Sequence, residues 1–172
     1  FNSMPNLTEI ADQSIDEDTV IEIELFATDD EDDSLSFGSN VLSGDISVGV
    51  SGNILTVSPA ADWNGNGQIE VIAYDTYGSD TTEFALNVAP IDDQPVAVLV
   101  NDFTSMRGQE IVVDGLGSYD VDGDSLSFSW TVPQDLNITS VTSQEIRFTV
   151  PESGAASSYM FILEVGDGYI VS

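Results

Sequence analysis

Residues 118–132 read SYDVDGDSLSFSWTV and join two patterns that together decide the fold. The first is an acidic segment with carboxylates at alternate positions, Asp120, Asp122 and Asp124. The second is a strict alternation of apolar and polar residues, which is typical of a β-strand with one buried face. Its apolar positions are Leu126, Phe128, Trp130 and Val132. The stretch therefore predicts an acidic loop that leads directly into a strand.

The same alternation recurs along the chain, whereas helical periodicity is scarce. It is clearest in VIEIEL (20–25), IRFTV (146–150) and YMFILEV (159–165). Turns rich in Gly, Asp, Asn and Pro separate the short segments at intervals of about ten residues, a spacing typical of β-sandwiches. The sequence therefore predicts an all-β protein of immunoglobulin-like architecture.

The acidic segment occurs twice in the sequence. ATDDEDDSLSF at residues 27–37 nearly repeats residues 118–128, and further positions recur at offsets of 90, 91 and 92 residues. The recurring pairs are Pro5 with Pro95, Asp29 with Asp120, and Asp75 with Asp167. A repeat of this length matches one immunoglobulin-like domain. We therefore expect two β-sandwiches in tandem, residues 1–91 and residues 92–172.

The second copy is predicted to lack its last strand. After the alternating segment that ends near residue 166, nothing in the sequence corresponds to TTEFALNV (81–88) of the first copy. A missing strand leaves an open sheet edge, which proteins normally pair or cover. Either the parent chain continues and supplies the strand, which we favour, or another subunit donates it.

The composition of the chain argues against several kinds of binding partner. The 172 residues include 31 acidic and 2 basic ones and no His, which gives a formal net charge of −29. Nucleic acid and anionic membranes are therefore disfavoured as partners. Direct membrane insertion is not expected either, because no apolar run is long enough to span a bilayer. With 41% hydrophobic residues, the chain can nevertheless bury a core.

The acidic clusters suggest cation sites. Two carboxylates about 4 Å apart repel by roughly 4 kcal/mol at an effective dielectric constant near 20, so a converging cluster needs a cation. Oxygen ligands without His or Cys favour a hard ion, and a flexible acidic loop suits Ca²⁺ better than Mg²⁺. An EF-hand is excluded, since its obligatory Gly would fall on Ser125. The alternative is that these segments are ordinary Asp-Gly turns with solvated carboxylates.

The first half resembles the bacterial cadherin-like repeats of large calcium-dependent surface adhesins. The resemblance rests on DEDT (16–19), ATDDEDDSLSF (27–37), SPAADWNGNGQIEVIAYDTYGS (58–79) and VAPIDDQP (88–95), in that order. The second half is similar to PKD-type domains through GQEIVVDGLGSYDVDGDSLSFSWTV (108–132) and LEVGDG (163–168). Both families are β-sandwiches, so the resemblance implies a cadherin-like domain followed by a PKD-like domain.

The resemblance also implies Ca²⁺ between consecutive domains. The implied ligands at the junction are Glu17, Asp62, Asp92, Asp93, Asp120, Asp122, Asp124 and Asp167. A second set at the other end of the first domain would complete a site with a preceding domain. Its members are Asp29, Glu31, Asp33 and Asp75. On this interpretation the acidic segment appears twice because each domain brings one half of a shared site.

The function predicted from these features is that of a calcium-rigidified structural or adhesive module in a bacterial extracellular adhesin or surface fibre. Its partners would be the neighbouring domains of the same long chain, with a cell-surface glycan or protein as a further partner. The alternatives are a polysaccharide- or protein-binding module and a fibre subunit that assembles by strand donation. An enzyme is not expected, because Ser-His-Asp and Cys-His catalysis both need residues that the chain lacks.

The two tryptophans receive structural interpretations first. Trp130 lies in a predicted strand, where an immunoglobulin-like core places a large aromatic residue. Trp63 lies in the turn ADWNGNG (61–67), where we expect it to anchor the loop. Stacking of a sugar on an exposed Trp63 is the alternative.

Overall fold

A computed structural model describes residues 3–99, 104–134, 136–152 and 157–168, and the regular elements among them are all β-strands. The all-β prediction is therefore confirmed. The chain divides into two compact units, Phe1–Ile91 (unit 1) and Asp92–Ser172 (unit 2). Within the described ranges, no helix has the length and apolar character needed to cross a membrane.

Unit 1 is a sandwich of two main sheets. Its strands are β1 (Asn6–Leu7), β2 (Gln13–Asp16), β3 (Ile21–Glu24), β4 (Ala27–Thr28), β5 (Ser36–Ser43), β6 (Ile46–Ser51), β7 (Ile54–Pro59), β8 (Gly65–Tyr74) and β9 (Ser79–Ala89). The four-stranded sheet has the order β2-β9-β8-β5, and the three-stranded sheet has the order β3-β7-β6. Strand β2 runs parallel to β9, β1 pairs with β4, and the other pairings are antiparallel.

Alternation along the strands builds the core of unit 1. In β8 the buried apolar side chains are Ile69, Val71 and Ala73, and the alternate positions Gln68, Glu70 and Ile72 are more exposed. The facing sheet contributes Leu55 and Val57, which are fully buried. Burying one such aliphatic side chain contributes about 1.5–3 kcal/mol, so this apolar layer is the main source of stability in unit 1.

The strand registers place the loops at two opposite ends of unit 1. Ser36 pairs with Tyr74, so the loop before β5 and the turn after β8 lie at one end. Asp16 pairs with Ala89, and Gly65 pairs with Val88, so the end of β2 and the start of β8 lie at the other end. The acidic residues of unit 1 are thereby sorted into two separate groups.

Unit 2 has the same kind of architecture with fewer strands. Its strands are β10 (Glu110–Asp114), β11 (Ser127–Thr131), β12 (Ile138–Val141), β13 (Glu145–Thr149) and β14 (Ile162–Gly166). One sheet has the order β10-β13-β12, and β11 pairs with β14 in the other. Val113, Leu136 and Phe148 form the buried core cluster. The stacked rings of Phe148 and Phe161, with centroids 5.2 Å apart, extend that core.

Equivalent strand pairs recur in the two units. Asn6 opposite Thr28 in unit 1 corresponds to Val96 opposite Tyr119 in unit 2. In unit 1, β8 is flanked by both β5 and β9, whereas among the described residues its counterpart β14 pairs with β11 alone. The sequence predicts that unit 2 lacks a last strand after residue 166. Residues 169–172, which belong to that segment, lie outside the described residues. The source of a further strand therefore stays a prediction.

Both tryptophans have structural contacts. Trp130 packs against the core cluster of unit 2, and its indole N–H donates to the carbonyl oxygen of Ser143 at 3.2 Å. Trp63 packs against the core of unit 1. A Cβ atom built at Gly44 would lie 2.9 Å from the Trp63 ring, and one built at Gly65 would lie 3.3 Å from it. Trp63 thus covers two glycines and anchors its loop, which argues against a sugar-stacking role.

We expect Gly44→Ala to destabilise unit 1 by about 1–3 kcal/mol. The new methyl group would meet Trp63, and Gly44 has φ +95°, a conformation that an L-residue rarely adopts. Thermal unfolding of the variant measures the effect. The matched control is Gly49→Ala, because a Cβ at Gly49 has nothing within 4 Å. Equal melting temperatures for the two variants would contradict this account of Trp63.

Candidate metal centres

The first acidic loop of unit 1 is organised around Asp29. Its Oδ1 accepts hydrogen bonds from the backbone N–H groups of Glu31 at 3.0 Å and Asp33 at 3.1 Å. Its Oδ2 is buried and has no hydrogen-bond partner among the described residues. The loop is therefore curled by one carboxylate oxygen while the other oxygen remains unsatisfied.

Asp75 lies at the same end of unit 1, directly after β8. Its Oδ1 accepts from the N–H groups of Tyr77 at 2.6 Å and Gly78 at 2.7 Å, and its Oδ2 is also buried without a described partner. The charge of Asp75 acts on Glu31 and tends to raise its pKa. Hydrogen bonds from the hydroxyl and N–H groups of Ser3 outweigh this effect and lower the pKa of Glu31 below its ordinary value.

Unit 2 repeats the arrangement. Oδ1 of Asp120 accepts from the N–H groups of Asp122 at 2.9 Å and Asp124 at 3.3 Å, and its Oδ2 is buried without a described partner. The contact of Ser3 with Glu31 has its counterpart here as well. The N–H of Asp93 donates to Oδ2 of Asp122 at 2.8 Å, the same distance as from the Ser3 N–H to Oε2 of Glu31.

Asp92 adds a further carboxylate to the cluster of unit 2. Desolvation raises its pKa above the ordinary value, and the negative charges of neighbouring aspartates raise it further. These neighbours are, in order of effect, Asp167, Asp124, Asp122 and Asp120. The fold of unit 2 thus gathers four carboxylates around Asp92 whose negative charges destabilise its charged form, and Asp93 lies beside them.

The opposite end of unit 1 holds a smaller acidic group. Glu17 is 4% exposed, and its Oε1 accepts from the N–H of Ile91 at 2.6 Å. Asp18 and Asp62 lie nearby in sequence or space, with carboxylate oxygens within 4.8 Å of each other, and the Asp62 N–H donates to Oδ1 of Asp18 at 3.1 Å. Both have positive φ angles, 58° and 55°, which aspartate tolerates better than most residues.

The structure groups the residues named from sequence by unit. It brings together Asp29, Glu31, Asp33 and Asp75 in unit 1, and Asp92, Asp93, Asp120, Asp122, Asp124 and Asp167 in unit 2. Glu17 and Asp62 lie at the other end of unit 1. A metal shared by the two units stays a prediction.

Two residues that hydrogen-bond within the acidic groups could not be identified from the sequence. The first is Asp18 in DEDT, whose Oδ1 accepts from the Asp62 N–H. The second is Ser3, and only its equivalence to Asp93 in the repeat points to it.

The donor set fits a hard cation. Asp29, Asp75 and Asp120 each present a buried carboxylate oxygen that no described group satisfies. A buried, unpaired anionic oxygen is costly, and a bound cation removes that cost. Oxygen-only ligands from Asp and Glu are those that Ca²⁺ prefers in proteins. The donor atoms of this arrangement therefore suit an ion such as Ca²⁺.

Comparison with known families follows the same division of the chain. Residues 2–87, half of the chain, match the model of the bacterial Ig domain. The chain belongs to the bacterial Ig domain family. Residues 110–172 of this bacterial Ig protein match a second model, the C-terminal domain of the cellulose-binding protein Sde0182. Immunoglobulin-like domains and carbohydrate-binding modules are typically non-enzymatic.

Solved structures resemble this bacterial Ig protein in fold. Human protocadherin-24 EC1-2 (form II) matches with a TM-score of 0.50 and 18% sequence identity over 96% of the chain and 88% of that structure. Tandem immunoglobulin- or cadherin-like sandwiches are thereby supported. An endo-fucoidan hydrolase of glycoside hydrolase family 107 matches with a TM-score of 0.42 and 19% identity, over 98% of the chain but 27% of the hydrolase. Among curated protein sequences, none matches significantly.

We expect Asp92→Asn to have opposite effects with and without metal. The raised pKa of Asp92 means that its charge destabilises the metal-free folded state. Its stabilising contribution is present below the pKa of an unfolded Asp, about 3.9, and is lost as pH rises through the folded pKa. In chelator, the variant should therefore melt like the wild type at pH 3 and higher than the wild type at pH 7.

With Ca²⁺ present, the same variant should lose stabilisation, because the ion loses a charged neighbour. Thermal unfolding as a function of pH, in chelator and in millimolar Ca²⁺, measures both effects. A variant that melts below the wild type in chelator at pH 7 would contradict the repulsion inferred for Asp92.

Proposed function

We propose that this chain is a calcium-stiffened structural or adhesive segment of an extracellular bacterial protein. The two matched families support an extracellular binding or adhesive module. The single observation that carries the calcium proposal recurs at Asp29 and at Asp120. One carboxylate oxygen accepts from two loop N–H groups, and the other is buried with no hydrogen-bond partner in the described part of the chain.

Calcium would act first on repulsion within each cluster. In unit 2 the residues that would hold it are Asp92, Asp93, Asp120, Asp122, Asp124 and Asp167. A divalent cation supplies the positive charge that this cluster lacks, since Arg107 and Arg147 are the only basic residues in the chain. The folded state gains stability as the logarithm of one plus the ratio of the free Ca²⁺ concentration to the dissociation constant, because the unfolded chain has no preformed site.

Calcium would act second on the connection between the units. The end of unit 1 is held where Glu17 accepts from Ile91, and the start of unit 2 is held where Asp122 accepts from Asp93. Asp92 is the one residue between these two anchored positions. A cation bound by Asp92 would immobilise the remaining link, so that consecutive units behave as a rod rather than as a flexible string.

The proposal predicts a calcium-dependent melting temperature. At a Ca²⁺ concentration 100 times the dissociation constant, one site adds about 2.7 kcal/mol, which corresponds to roughly 10–20 °C for a domain of this size. The measurement is thermal unfolding of chelator-stripped protein during a Ca²⁺ titration, with small-angle scattering on the same samples. A melting temperature and a scattering envelope that are both indifferent to millimolar Ca²⁺ would refute the proposal.

Matched variants separate the sites. Asp120→Asn should abolish most of the stabilisation of unit 2, and Asp29→Asn should do the same for unit 1, because each removes charge from the ion-facing carboxylate. The control is Asp45→Asn, which removes the same charge from an exposed turn outside the clusters. A calcium response reduced equally by all three would indicate general charge screening rather than defined sites.

Neutral glycan binding is a second candidate, favoured by one specific observation. Residues 110–172 match a domain of a protein that is named as cellulose-binding. The strongly negative chain would repel acidic polysaccharides, so an uncharged one suits it better. Retention of the whole chain by microcrystalline cellulose tests this candidate. Equal retention by cellulose and by an inert resin would remove it.

A further inference from the structure

An exposed apolar patch lies on unit 2, next to the acidic cluster but distinct from it. Val96 is 37% exposed, Val98 is 39% exposed and Tyr119 is 53% exposed. We call these three residues the Val-Tyr patch. Apolar side chains that are exposed next to one another, unlike those exposed singly, can form a binding surface.

Backbone pairing places the three side chains together. The Val96 N–H donates to the Tyr119 carbonyl oxygen at 2.8 Å, and the Tyr119 N–H donates to the Val96 carbonyl oxygen at 3.1 Å. Directly opposed residues of an antiparallel pair present their side chains on the same face. Val98 lies two residues along the same segment and therefore on the same side as Val96.

The lack of a side chain at Gly117 leaves room for Val98. A Cβ atom built at Gly117 would lie 3.0 Å from Cγ1 of Val98, so a larger residue would displace the valine. The Val98 N–H is held by the Ser118 hydroxyl oxygen at 3.0 Å. The Val-Tyr patch is thus a surface of two aliphatic side chains and one phenol ring, and these contacts fix its position.

The repeat shows that the fold does not require this apolar character. At the equivalent positions of unit 1 the residues are Asn6 for Val96, Thr8 for Val98 and Thr28 for Tyr119. Asn6 and Thr28 occupy the same strand pairing with polar side chains. Packing within the sandwich therefore does not require apolar side chains at these positions of unit 2, and they are available for contact with a ligand.

We propose that the Val-Tyr patch binds the apolar face of an uncharged polysaccharide, a β-linked glucan being the type to test. The inference rests on the glycan-binding function proposed above and assigns it a surface. Charge disfavours anionic ligands here. Asp120 follows Tyr119 directly and Asp122 lies two residues further on, so an acidic polysaccharide or a second copy of this chain would meet repulsion, whereas an uncharged sugar ring would not.

Sugar rings suit the patch in shape and chemistry. The axial C–H groups of a β-linked pyranose form a flat apolar face that can pack on an aromatic ring and on neighbouring aliphatic groups, while hydroxyl groups remain at the edge. Tyrosine offers an apolar ring and a hydroxyl at its rim, which suits a ligand of this mixed character. The matched cellulose-binding family model spans Tyr119 and Gly117.

The experiment replaces the patch with the residues of unit 1. The full chain with Val96→Asn, Val98→Thr and Tyr119→Thr should lose affinity for cellohexaose about tenfold or more, measured by calorimetry, and should be retained less by microcrystalline cellulose. Its melting temperature and calcium response should stay near the wild-type values, because unit 1 carries these residues at the same paired positions. The matched control is Phe26→Ser, which removes an aromatic side chain that is 57% exposed in unit 1 and should leave binding unchanged.

The outcomes separate the surface from the function. If the wild type binds cellohexaose and the triple variant binds equally, the patch is wrong while glycan binding stands. If the wild type binds no uncharged glycan, both are wrong. Stronger binding to a sulfated or uronic polysaccharide, or a wild-type dimer that the triple variant abolishes, would overturn the proposed ligand.

Discussion

Two backbone N–H groups that converge on one carboxylate oxygen are the constraint on which each acidic loop is built. The contact occurs at Asp29 and again at Asp120, with the same spacing of donors. It forces neighbouring carboxylates toward each other because the loop must curl around the first aspartate. Repulsion is therefore a consequence of the loop's own hydrogen bonding, and on the calcium proposal the cation that relieves it would be part of the folded state.

The acidic clusters around Asp29 in unit 1 and around Asp120 in unit 2 differ, although they occupy equivalent positions in the repeat. In unit 1 the Ser3 hydroxyl and N–H lower the pKa of Glu31, so that carboxylate is stabilised by protein groups. In unit 2 the pKa of Asp92 is raised by its surroundings, so that carboxylate is destabilised. On the calcium proposal, a cation in unit 2 would relieve the repulsion at Asp92, whereas the equivalent position of unit 1 is Asn2, which carries no charge.

Much of the fold could be predicted from the sequence, because alternation has an unambiguous period wherever one face is buried. The inward positions of β11, Phe128 and Trp130, are an example. The acidic groups within each unit could be predicted too, because the repeat marks them twice. The parallel pairing of β2 with β9 could not, since no local pattern specifies a partner far along the chain. Asp18 was missed because its role depends on Asp62, 44 residues away.

The parallel pairing of β2 with β9 has a mechanical consequence. Gln13 to Asp16 lie beside Leu86 to Ala89, so an early and the last strand of unit 1 run in the same direction. Tension applied through the two ends of the chain would pull these strands past each other lengthwise. All the hydrogen bonds between them would then be loaded together, whereas an antiparallel pair pulled from one end opens bond by bond. Unit 1 is therefore arranged to resist stretching along the direction in which a tethered filament is pulled.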